Sequence, residues 1–111
     1  MSEKRLMKHL PRKQHLELLY HAKDIVSHIE SEKNYSCFYL KNGKRILMSY
    51  TLSTYQGALE SSFIRINRSV LINKSEIVQI SKNGVLTNKG ENFIISRRRI
   101  SEVLKHLSFN A

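Results

Sequence analysis

Asn-Gly occurs twice in this chain, as Asn42-Gly43 and Asn83-Gly84, and each pair lies between two short β-prone runs. Both residue types tolerate positive φ, which a tight type I′ hairpin turn requires. The first pair is expected to join residues 35–40, Tyr-Ser-Cys-Phe-Tyr-Leu, to residues 45–50. The second is expected to join residues 77–81 to residues 85–87, and a third turn, Asn88-Lys89-Gly90-Glu91, leads into Phe93-Ile94-Ile95. Two earlier runs, residues 16–20 and 25–30, read as further strands. Turns at this density call for antiparallel sheet.

Two segments depart from the β pattern. Leu52, Tyr55, Ala58 and Leu59 make a short apolar stripe, and Ser53 and Gln56 inside it have capping-box spacing. Ile100, Val103, Leu104 and Leu107 stand at i, i+3, i+4 and i+7, the period of an amphipathic helix, with Ser96 where an N-cap belongs. The expected fold is therefore mainly β: a compact antiparallel domain of several short strands and hairpins, with a short mid-chain helix and a C-terminal helix. The 111 residues suffice for one domain with one core. Residues 1–13, polar and basic with the only proline, Pro11, read as a flexible N-terminal arm, and residues 14–111 as the domain.

Charge narrows the partners. Lys and Arg number 19 against 9 Asp and Glu, a formal net charge of +10. A small basic domain most often meets nucleic acid, with an acidic membrane surface second. No apolar run approaches the ~20 residues of a membrane span, and the N-terminus lacks the apolar core of a signal peptide. The single cysteine, Cys37, excludes an internal disulfide and fits a small core residue in a reducing, cytoplasmic setting. His9, His15, His21, His28 and His106 show no metal-ligand spacing. There is no Gly-rich phosphate loop, no carboxylate pair and no Cys/His dyad, so neither an enzyme nor a cofactor nor a metal is expected.

The arginines are harder to explain by folding. Arg97, Arg98 and Arg99 would open the last helix, where each exposed cation opposes the helix dipole by roughly 0.3–1 kcal/mol. Free N–H groups there already favour an anion, and added arginines build a phosphate or guanine site. In Phe63-Ile64-Arg65-Ile66-Asn67-Arg68-Ser69-Val70-Leu71-Ile72-Asn73, strict alternation would bury Arg68. An unpaired buried arginine is prohibitively costly. The strand must end near Asn67, and Arg68-Ser69 must project from a turn before Val70 and Ile72 return to the core. Such a turn is a rigid pointer, and the guanidinium fork suits guanine or phosphate.

These residues resemble the LytTR DNA-binding domain of bacterial transcription regulators. The match runs through Phe63, Arg65, Arg68, Ser69, the apolar triplet Val70-Leu71-Ile72, Asn73, and later Ser96-Arg97. Upstream, Ile29-Glu30, Asn34-Tyr35 and Tyr50-Thr51-Leu52 fit as well, so the likeness spans roughly residues 14–107. Asn67 stands where the family usually has His; an amide can still donate and accept at a base edge. The resemblance implies a mostly β domain whose loops, not a recognition helix, enter two successive major grooves. It implies base contacts from Asn34, in the loop after the second strand, and from Arg68 and Arg97. It implies phosphate contacts from Lys33, Ser69, Lys74, Arg98 and Arg99, with Tyr35, Arg65, Asn67 and Asn73 as further candidates.

The expected function is sequence-specific binding of double-stranded DNA by a transcription regulator. The competing reading is a non-catalytic RNA-binding or adaptor module with a diffuse basic face. No receiver domain is expected in a chain of this length. The expected protein is a monomer or weak dimer in solution, with two copies on direct repeats.

Overall fold

The structure, a computed structural model, describes residues 12–109. Residues 1–11 of the expected arm lie outside the described residues, and Arg12 and Lys13 already belong to the first helix, α1 (Arg12–Tyr20). A short helix α2 (Ala22–Ile25) leads into strand β1 (Val26–Glu32). The strand expected at residues 16–20 is thus helix. His15, Leu18, Leu19 and Ala22 recur at i, i+3, i+4 and i+7; Leu18 and Ala22 are buried, with Leu19 packed beside them. That spacing, set among Lys, Gln, Glu and Leu, fits a helix and not a strand.

Strands β2 (Tyr35–Leu40) and β3 (Arg45–Met48) follow, then helix α3 (Leu52–Ala58), β4 (Phe63–Asn67) and β5 (Val70–Asn73). These strands form one five-stranded antiparallel sheet in the order β3-β2-β1-β5-β4. A second sheet follows, built from β6 (Ile77–Ser81), β7 (Gly84–Thr87) and β8 (Asn92–Ile94) in sequential order. The last helix, α4, spans Ile100–Phe109.

The large sheet is buried on both faces, which explains the continuous apolar run Val70-Leu71-Ile72. Leu71, Phe63, Ile29 and Phe38 pack with Leu18, Leu52 and Tyr55 of the helices on one side. Val70, Ile72, Ile64 and Ile66 pack with Val85, Ile95 and Val103 on the other. Successive side chains of a strand point to opposite faces, so one short strand feeds both cores. His28 joins the two sheets. It is buried, stacks on Tyr39 with ring centroids 4.5 Å apart, and meets the Phe93 ring of β8 at 4.8 Å.

The turns are real but not of the expected type. Gly43 takes φ 94° while Asn42 does not enter the positive region, so the link is not type I′. Gly43 N–H donates to the Leu40 carbonyl, Leu40 N–H to the Lys44 carbonyl, and Asn42 Oδ1 accepts from Lys44 N–H. This is a longer loop that needs one left-handed residue, which glycine supplies. Asn88-Lys89-Gly90 repeats it, with Gly90 at φ 85°. In the other Asn-Gly pair, the turn residues are Lys82 and Asn83, and Gly84 is already the first residue of β7, paired with Ser81.

At α3, Thr51 stands at the N-cap and Ser53 lies inside the helix, so the Ser53–Gln56 spacing forms no capping box. Ala58 of the expected stripe is exposed, while Leu52, Tyr55 and Leu59 are buried. Cys37 is buried and free, and desolvation raises its thiol pKa, which keeps it protonated and inert.

Candidate nucleic-acid interface

Antiparallel pairing of β1 with β5 brings two turns to the same end of the large sheet. One is Lys33-Asn34, between β1 and β2; the other is Arg68-Ser69, between β4 and β5. They are stitched together where Ser31 N–H donates to the Ser69 carbonyl at 2.9 Å. Glu32 pairs with Tyr35, so the first turn has only two residues, and Lys33 takes φ 57° to close it. Lys33, Asn34, Arg68 and Ser69 are all exposed, and Tyr35 is on the edge of exposure. Because residues 16–20 are helix, the loop carrying Asn34 follows the first strand, not the second.

Four hydrogen bonds hold the Arg68 turn in one shape. Asn67 Oδ1 accepts from Ser69 N–H at 2.7 Å, closing the turn from inside. Arg65 Nε donates to the Asn67 carbonyl at 2.9 Å and Arg65 Nη2 to the Arg68 carbonyl at 2.6 Å. Arg65 Nη1 reaches Gln56 Oε1 of α3 at 2.8 Å, which ties the turn to the helical layer. Burial, then the nearby Arg99 guanidinium, lowers the Arg65 pKa. Arg65 therefore builds the turn with its fork. Its role as a brace was not readable from sequence, because nothing local marks Gln56 as its partner.

The start of the last helix is drawn to the same place. Ser96 N–H donates to the Ile66 carbonyl at 2.9 Å, and Asn67 Nδ2 donates to the Ile94 carbonyl at 2.7 Å. Arg97–Arg99 then form a 310 turn ahead of α4, with Arg97 and Arg98 exposed and Arg99 half-buried. Ser96 gives no side-chain cap; its hydroxyl is buried, with no partner among the described residues. Among the described residues, no side chain pairs with the guanidinium groups of Arg68, Arg97 or Arg98.

Two expected site residues lie elsewhere. Asn73 is 1% exposed; its amide donates to the Lys23 and Val26 carbonyls and its oxygen accepts from Ser75. It anchors β5 to α2 and to the start of β1. Lys74 follows β5 at the end opposite Ser69, on the order of 15 Å along the strand. It lines a groove of about 600 Å3 between α3 and α4, shared with Arg65 and Arg99 but also with Glu60 and Glu102. Among the described residues no cluster of metal-binding side chains occurs. Also among them, no helix is long and apolar enough to cross a membrane.

Comparison with known proteins identifies the family. The family model of the LytTr DNA-binding domain matches residues 18–108. The chain belongs to the LytTR family. Its fold is that of the LytTr DNA-binding domain of a protein described as a methyl-accepting/DNA response regulator from Bacillus cereus. The TM-score is 0.69 at 22% identity, covering 78% of this chain and 84% of that one. No curated protein matches the chain. As a LytTR domain it is a DNA-binding module of the kind used in transcription regulation, mainly β in fold. The two turns and the Arg97–Arg99 segment at one end carry Asn34, Arg68, Ser69 and Arg97, part of the set of residues by which the sequence resembles the family.

Proposed function

We propose that this LytTR domain reads double-stranded DNA in a sequence-specific way, through loops that enter successive major grooves, and so acts as a transcription regulator. The observation that carries the reading is the rigid bracing of exposed, unpaired arginines at one end of the domain. A solvated basic face needs no such bracing; a base reader does, because bidentate contacts tolerate little misplacement. Asn34, Arg68 and Arg97 contact base edges. Lys33, Ser69, Arg98 and Arg99 grip phosphates. Arg65 and Asn67 act as positioning residues.

The domain is 37 Å in its longest dimension, close to the ~34 Å between successive major grooves on one face of DNA. Loops gathered at one end of it reach both grooves when the duplex curves toward the protein. A single small module covers limited sequence, so two copies on direct repeats supply the remaining recognition. A-form RNA has a deep, narrow major groove that side chains do not read, which disfavours the RNA alternative.

The test starts from duplexes selected out of a random pool by the purified protein. Arg68→Ala and Arg97→Ala are expected to lose ~1–3 kcal/mol on the selected site and each to relax preference at one base pair. Arg98→Ala should weaken specific and unrelated duplexes alike. Identical behaviour of all three on single-base variants of the site, or equal affinity for RNA and any duplex, would refute the reading. Circularly permuted site fragments report the bend by position-dependent gel mobility.

A further inference from the structure

The line of linked loops does not stop at Arg97. Ile95 N–H donates to the Asn83 carbonyl at 3.5 Å, which brings the turn between β6 and β7 beside the Ser96-Arg97 segment. Gly84 makes that approach possible: a Cβ there would stand 2.5 Å from the Phe93 carbonyl oxygen, closer than any side chain is tolerated. The turn is itself ordered, with Asn83 N–H donating to Ser81 Oγ at 3.2 Å. Lys33-Asn34, Arg68-Ser69, Arg97 and Lys82-Asn83 thus form a row of four loops, each joined to the next by a backbone hydrogen bond close to its tip.

Lys82 differs in its surroundings from Lys41 and Lys89, two lysines at the far end of the large sheet. There, Lys41 Nζ lies 3.4 Å from the buried carboxylate of Glu76, and Lys89 Nζ donates to the Lys41 carbonyl at 2.5 Å. Lys82 is exposed, and its ammonium has no partner among the described residues. We infer that the Lys82-Asn83 turn is a fourth DNA-contacting loop, whose Lys82 ammonium rests on a backbone phosphate beyond the base pair read by Arg97. The inference rests on the DNA-reading function proposed above and extends its footprint. Lysine suits the task, since a point charge on a flexible stem follows a phosphate without demanding base geometry.

Salt dependence tests it. Wild type, Lys82→Gln, Arg98→Gln and the control Lys44→Gln, an exposed lysine at the opposite end of the sheet, are titrated against the selected site and an unrelated duplex at several salt concentrations. Lys82→Gln should flatten the slope of log K against log[salt] by ~0.9, one phosphate contact, on both duplexes. Lys44→Gln should leave the slope at the wild-type value. Neutral methylphosphonates placed singly along the site should reveal one phosphate, at the outer edge, whose neutralisation weakens wild type but not Lys82→Gln. An unchanged slope in Lys82→Gln beside a flattened one in Arg98→Gln would overturn the fourth loop while leaving DNA reading intact. A wild type with no salt-dependent duplex binding would overturn both.

Discussion

The side-chain amide of Asn67 donates to the Ile94 carbonyl at 2.7 Å while its oxygen accepts from Ser69 N–H at 2.7 Å. One short side chain therefore sets the distance between the Arg68 turn and the strand that leads to Arg97. Asn67→Ala removes both bonds. It is expected to lower stability by ~1–3 kcal/mol, since each bond contributes ~0.5–1.5 kcal/mol net. Affinity for the selected site should fall by more than affinity for unrelated duplex, because spacing matters to base reading and little to phosphate attraction. Urea denaturation and anisotropy titrations on the same preparation separate the two effects.

Arg65 offers a sharper version of the same test. Its Nε and Nη2 donate to the consecutive carbonyls of Asn67 and Arg68, and its Nη1 to Gln56. Lysine keeps the charge but cannot form that planar fork. Arg65→Lys is thus expected to behave like a loss-of-specificity variant with a near-normal salt slope. A variant that instead lost one phosphate's worth of slope, ~0.9, would show Arg65 on the DNA backbone.

How far the sequence spoke depended on whether a residue's role was local. The pointer at Arg68 was legible because alternation forced a choice: bury the guanidinium or end the strand, and the strand ends at Asn67. The antiparallel hairpins were legible from Asn-Gly, but their type was not, because loop length is set by which residues of the flanking strands pair. Residues 16–20 looked β-prone, yet the helical stripe through His15, Leu18 and Ala22 becomes visible only in a longer window. Asn73 and Lys74 carry the right residue types at motif positions. Their separation from the site follows from the length and direction of β5, which no local pattern shows.

In α4, Val103 is fully buried against Val85, Ile95 and Ile66, whereas Leu104 is only half-buried. Val103→Ala is expected to destabilise by ~2 kcal/mol, from two lost methyl groups and the residual cavity. Leu104→Ala should cost ~1 kcal/mol or less. Neither should alter the base preference of the folded domain. Thermal melts, with DNA titrations well below each midpoint, check both statements.

Lys33 holds φ 57° at the tip of its turn, a conformation that disfavours any residue with a Cβ by roughly 1–2 kcal/mol. Glycine would relieve that strain. Lys33→Gly is accordingly expected to raise stability by ~1 kcal/mol while weakening DNA binding and flattening the salt slope by ~0.9. The opposed signs make the test selective: stability gained with binding unchanged would place Lys33 off the phosphate backbone.

The remaining prediction concerns pH and the helices packed on one face of the large sheet. His15 Nε2 lies 3.0 Å from the Tyr55 hydroxyl, and the imidazole stacks on Tyr50 at 5.6 Å. Burial lowers the His15 pKa below its ordinary value of 6.5 and raises that of Tyr55. The folded state thus resists protonating His15, and as pH falls through 6.5 the unfolded chain takes up the proton first. Stability from this site is complete above that pH and declines below it, toward the lowered folded pKa. His15→Gln removes the titrating group, so its midpoint should fall less than that of wild type between pH 7.5 and 5.5. The difference between the two proteins, rather than either curve alone, isolates His15 from the other histidines and the carboxylates. Parallel curves would mean that the imidazole is as easily protonated in the folded domain as in the unfolded chain, and that its bond to Tyr55 does not oppose the proton.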